Sequence, residues 1–106
     1  MKNFTIPKTV QLFGETIEVR WEKNLVSNQD DVGQAHYRTN MILLQPSTDA
    51  LPRPRSSIEV TYLHELLHFI MNQIAHSDEE KNSEDFIDLL AGVLHQVLIT
   101  AEGELE

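Results

Sequence analysis

The segment Thr61-Tyr62-Leu63-His64-Glu65-Leu66-Leu67-His68-Phe69-Ile70 carries two histidines four positions apart, with a glutamate directly after the first. In a helix, positions i and i+4 lie one above the other, so the imidazoles of His64 and His68 can be aimed at one point. Glu65 stands about a third of a turn round the helix and flanks that point without having to ligate it. Two neutral imidazoles at this spacing suit zinc, and the glutamate between them is placed to take a proton from water that the metal has acidified to a pKa of about 7. The reading is therefore His64 and His68 as metal ligands and Glu65 as the catalytic base.

A catalytic zinc site takes a third protein ligand and leaves the fourth position to water. A third histidine six residues after the second, the metzincin arrangement, is excluded because that position is Ile74. His76 falls in an expected turn between helices and is poorly placed to fold back. The carboxylates that follow stand 16 to 20 residues beyond His68, on the next expected helix, at Glu84, Asp85 and Asp88. Glu84 and Asp88 share a face, whereas Asp85 lies off it and reads as solvated. His95, seven residues after Asp88, reads as a partly buried, satisfied histidine, with orientation of the site as the sharper alternative. Tyr37 and Tyr62 are candidate donors to an oxyanion, each with a buried structural role as the plainer reading.

The elements that must hold these residues are legible from period and punctuation. Val10, Leu12, Ile17, Val19 and Trp21 recur at period two, which predicts strands over 9–13 and 16–22 joined through Gly14-Glu15. Residues 24–31 read as a loop. The run 33–46 offers a second hairpin, with Arg38-Thr39-Asn40 near its turn and Pro46 closing it. Pro52 and Pro54 mark a connection. From about residue 56 the period becomes helical: Val60, Leu63, Leu67, Ile70, Met71 and Ile74 share one side, and Ser56 with Glu59 has capping-box spacing. Ser83 can cap a second helix with a wide apolar face from Phe86 to Leu98, and Glu84, Asp88 and His95 lie on its opposite stripe. The expected fold is a single α+β domain over 1–106. A small antiparallel sheet of about four strands precedes two helices, and 100–106 form a disordered tail.

The combination of "YLHELLHFI" with "SEDFIDLLAGVLHQVL" resembles small phage and bacterial zincin-like proteins, distantly similar to the ImmA/IrrE metallopeptidases. The resemblance spans about residues 9–100, and its specific part is 61–98. It implies a minimal zincin-like fold with the HExxH motif on the first helix. It also implies that the third ligand is the acid three residues before Ala91, which is Asp88. The family pattern has Glu there. The shorter Asp leaves two solutions: closer helices, or Glu84 one turn earlier as the ligand.

Composition sets the bounds on partners. The formal charge is −9, and it is unevenly placed. Residues 1–60 balance seven Lys/Arg against seven Asp/Glu, while 61–106 hold ten acids against Lys81 alone. A phosphate-binding surface needs basic residues to displace counterions, so nucleic acid is not an expected partner and a nuclease is disfavoured. No cysteine is present, which removes disulfides and thiolate sites. No apolar run approaches the ~20 residues that span a bilayer, and the alternating start lacks a secretory core, so a soluble cytoplasmic protein is expected. The expected function is a zinc-dependent hydrolase, a metallopeptidase acting on a peptide or protein. The alternative is a catalytically weak zincin-scaffold binding module in which zinc is structural or serves recognition; it is told apart by a Glu65→Gln variant that loses nothing.

Overall fold

The computed structural model describes residues 4–75, 77–81 and 83–106. The order of elements is β1 (Thr9–Leu12), β2 (Glu15–Trp21), α1 (Leu25–Gln29), β3 (Gly33–His36), β4 (Met41–Leu44), α2 (Arg55–Ile74), α3 (Asp78–Lys81) and α4 (Glu84–Thr100). This is an α+β chain: one four-stranded sheet with α2 laid on it and α4 packed on α2.

β1 and β2 form the expected hairpin, with Leu12 opposite Glu15. The turn is Phe13-Gly14, one residue earlier than the sequence suggested. Both residues have positive φ (52° and 81°), as a two-residue turn matching the twist of its strands requires. β3 and β4 form the second hairpin, and Asn40 at φ 52° completes its turn.

The expectation of an antiparallel sheet is corrected by the strand order β1-β2-β4-β3. β4 inserts beside β2 and runs parallel to it, with Glu18 opposite Met41 and Trp21 opposite Leu44. The physical reason lies in the strand compositions. Met41-Ile42-Leu43-Leu44 is apolar at every position, and Ile42 and Leu44 are wholly buried, so β4 belongs in the sheet interior. Gly33-Gln34-Ala35-His36 is polar and short and takes the edge. Burying a side chain such as Ile42 or Leu44 contributes about 1.5–3 kcal/mol.

The expected loop over 24–31 contains α1, held down by the buried Gln45. Its side chain accepts from the Val26 N–H at 2.9 Å and donates to the Lys23 carbonyl at 2.9 Å. Asp30 leaves α1 in the left-handed conformation (φ 57°), and the chain enters β3 through Asp31 and Val32. That path places Asp31 and Gly33 above α2.

α2 begins at Arg55, directly after Pro54, whose carbonyl accepts from Ser57 and Ile58 N–H. The expected capping box does not form: Glu59 is turned inward, fully buried, and bonded to Arg55. Arg53 clamps the start of α2 to the sheet, donating to the Gln45 carbonyl at 2.6 Å and to Thr61 Oγ1 at 2.9 Å. Tyr62, Leu63, Leu67 and Phe69 enter the core, where Ile87 and Ala91 of α4 meet them. Ser83 occupies the position before α4 but makes no side-chain cap bond. The stripe of Glu84, Asp88 and His95, read as opposite the apolar face, lies along α2 instead. Residues 101–106 carry no regular element, and no helix among the described residues is long and apolar enough to cross a membrane.

Candidate metal centre

His64 and His68 stand on the face of α2 turned toward α4. Their rings meet edge-on with centroids 4.7 Å apart, and the two Nε2 atoms are 3.0 Å apart. Glu84, in the first turn of α4, closes the triangle. One oxygen lies 3.1 Å from His64 Nε2 and the other 2.9 Å from His68 Nε2. Ligand atoms of these three residues all lie within 4.8 Å of one another. Zinc bonds of about 2.0–2.1 Å in tetrahedral geometry put neighbouring ligand atoms roughly 3.3 Å apart, close to the edges of this triangle.

Asp88 occupies a different place. Its Oδ1 lies 2.7 Å from Nδ1 of His64, on the far side of the ring from the triangle. A carboxylate there accepts from Nδ1–H and turns Nε2 toward His68 Nε2 and a Glu84 oxygen. Two ring nitrogens and a carboxylate thus converge on one point, where a proton on a ring nitrogen or a cation between them holds them together. The donor set of two imidazoles and a carboxylate fits zinc.

Burial holds His68 in the metal-binding form. Desolvation lowers its pKa, the Glu84 carboxylate opposes this, and the neighbouring His64 adds to the lowering. A neutral imidazole is what a divalent ion requires.

Glu65 is 7% exposed and lines the same cleft, a hollow of about 400 Å³ bounded also by Asp31, Val32 and Gly33. Its carboxylate opens to the cleft, where no described residue donates a hydrogen bond to it. Its pKa is raised to about 7, first by burial and then by the charges of Glu84, Asp31 and Asp88. The backbone of β3 lies directly on it. A Cβ at Gly33 would stand 2.9 Å from Glu65 Oε2 and 2.5 Å from the Thr61 methyl, so only glycine lets the edge strand approach this closely. The cleft therefore gathers Asp31, Glu65, Glu84 and Asp88 with two histidines, and no lysine or arginine is among its lining residues.

The other sequence candidates lie elsewhere. His95 is sealed at the far end of the helix pair, with Nε2 2.7 Å from Glu59 Oε1 and its ring edge against Phe4. Tyr62 is buried in the core beside Phe4, and burial raises its pKa. Tyr37 flanks the site: its ring stands edge-on to Phe69 at 5.2 Å. Burial raises the Tyr37 pKa most, and Glu65 and Glu84 raise it further. Asp85 is exposed, and His76 lies outside the described residues. Two site residues were not found from spacing, Asp31 and Gly33. A glycine two residues after paired aspartates was the one signal available.

Comparison with protein-family models, with curated proteins and with solved structures found no match to this chain.

Proposed function

We propose that the chain is a zinc-dependent hydrolase acting on peptide bonds. His64, His68 and Glu84 would hold the ion, Asp88 would orient His64, and Glu65 would be the base. The observation that carries this reading is the triangle of His64 Nε2, His68 Nε2 and the Glu84 carboxylate, whose edges of 2.9–3.1 Å are close to the ligand spacing of a tetrahedral zinc site. A zinc ion bound there supplies a Lewis acid that polarises a carbonyl and makes nearby water more acidic. Glu65 accepts a proton at a carboxylate oxygen facing the cleft and delivers it to the departing amine nitrogen. Gly33 keeps that carboxylate under the edge strand. Tyr37 stands near enough for Glu65 and Glu84 to raise its pKa.

The alternative of a binding module, with zinc as a structural or recognition element, leaves Glu65 unexplained. A carboxylate that opens to the cleft without a donor on it, its pKa raised to about 7, is suited to take up and give back a proton, which a scaffold does not need. The test is cleavage of a quenched fluorescent peptide library by zinc-loaded wild type and Glu65→Gln. The expected result is hydrolysis by the wild type and a loss of roughly 10²–10⁴-fold in the variant with zinc retained. Equal rates in the two proteins, or no cleavage by either, would overturn the hydrolase.

A further inference from the structure

α4 is apolar on more of its circumference than the fold uses. Ile87 and Ala91 are wholly buried against α2, and Leu90 and Leu94 pack at the edge of the core. Beyond them, Phe86, Leu89, Val93 and Val97 stand in solvent, at 48%, 70%, 49% and 53% exposure. Their spacing of i, i+3, i+7 and i+11 keeps all four within an arc of about 80° along a helix roughly 26 Å long. Scattered exposed apolar residues need no explanation, but a continuous stripe of this length on an otherwise charged chain does.

The charges around the stripe say what fits it. Residues 83–106 contain no lysine or arginine; Glu84 and Asp88 face the cleft, which leaves Asp85, Glu102, Glu104 and Glu106 beside the stripe. Asp85 borders the stripe at its start, and Glu102, Glu104 and Glu106 follow its end. A second copy of α4 would meet these acids with acids, in either orientation. Anionic lipid would be repelled for the same reason, and the helix lacks the Lys/Arg margin of a surface-lying amphipathic helix.

We propose that the outer face of α4, formed by Phe86, Leu89, Val93 and Val97 between acidic ends, docks an amphipathic helical segment of a partner protein whose apolar stripe is bordered by Lys and Arg. The apolar ridges interdigitate as in helix pairs within a core, and the basic margins of the partner lie over Asp85 and the acidic end. The surface is separate from the metal centre, so the inference holds whether or not the cleft is an active site.

The test uses a designed helical peptide with Leu at i, i+3, i+4 and i+7 and Lys along both margins, titrated into the intact chain by calorimetry. Saturable binding is expected, with one peptide per chain. Leu89→Ser with Val93→Ser should weaken it roughly tenfold or more, and so should Glu in place of each Lys in the peptide. Both substituted positions are exposed, and circular dichroism verifies that the variant is folded. No binding, or equal binding to the variant or by the Glu peptide, would overturn the proposal. So would a wild-type dimer in light scattering that the double variant abolishes, which assigns the face to a second copy, or uptake onto phosphatidylcholine vesicles, which assigns it to lipid.

Discussion

Two histidine–glutamate assemblies lie along the same pair of helices, and they are built to opposite ends. At one end, Glu59 of α2 meets His95 of α4 at 2.7 Å, and Arg55 bonds the other Glu59 oxygen at 3.1 Å. The carboxylate is fully buried, each of its oxygens has a donor, and Phe4 covers the histidine. At the other end, His64, His68 and Glu84 converge within hydrogen-bond distance of one another, and Glu65 opens to the cleft beside them. The first assembly contains its own cation. The second has four carboxylates around its cleft and neither lysine nor arginine. Similar residue types thus make a closed structural pair where an arginine supplies the positive charge, and an open acidic cleft where no lysine or arginine does.

Breaking the closed pair has the largest expected effect. Glu59→Ala leaves a cavity and the buried His95 Nε2 without its acceptor, which together cost about 3–5 kcal/mol. Urea unfolding checks this, and a cost below about 1 kcal/mol would deny the contrast.

The open site should respond with the opposite sign. In metal-free protein, the Glu65 carboxyl is raised to about 7. A carboxyl raised on folding favours the native state below its unfolded value near 4.5, and that stability drains away as pH rises through about 7. Glu65→Gln carries no such penalty. The chelator-treated variant is therefore expected to gain on the wild type as pH rises from about 5 to 8, by up to about 3 kcal/mol. Urea titrations of both proteins across that range measure it, and a gap that is flat or grows toward acid contradicts the assigned environment.

Gly33→Ala sharpens the comparison at the site's wall. The new Cβ must displace the Thr61 methyl and the Glu65 carboxylate. Overpacking of this kind costs about 1–3 kcal/mol, and a base moved by about 1 Å loses on the order of 10²-fold in turnover. Zinc content should not change. Peptide hydrolysis beside elemental analysis separates the two, and unchanged turnover would remove Gly33 from its positioning role.

Asp88→Asn is the smallest of these. It keeps the volume and weakens only the hold on His64 Nδ1, so zinc is retained with affinity lower by about tenfold. Competition with a chromogenic chelator reads this directly.

The pairing of His64 with His68 on one face was legible in the sequence because one helix carries both: i and i+4 are neighbours whatever the rest of the chain does. The apolar side of α2 and the two hairpins were legible for the same local reason, the first turn read one residue late at Gly14-Glu15. What escaped depends on contacts between elements. The insertion of β4 beside β2 follows from which strand is apolar on both faces, a competition that period-two alternation does not express. Asp31 and Gly33 reach the cleft only because β3 crosses α2. Glu84 and Asp88 differ by about 40° round α4, and only the way α4 lies along α2 separates the metal triangle from the Nδ1 side of His64. Glu59 looked like a capping residue by spacing and is instead the buried partner of His95, which stands 36 residues away.

The central claim is that the cleft's missing positive charge is a metal ion. Its most direct test is zinc content by elemental analysis of protein purified without chelators, compared among wild type, His68→Ala, Glu84→Ala and Asp88→Asn. About one zinc per chain in the wild type and in Asp88→Asn, with loss in the other two, is the predicted result. A wild type that holds no metal and takes up none on addition of zinc would contradict the account, leaving two histidines and a glutamate in contact across a pair of helices.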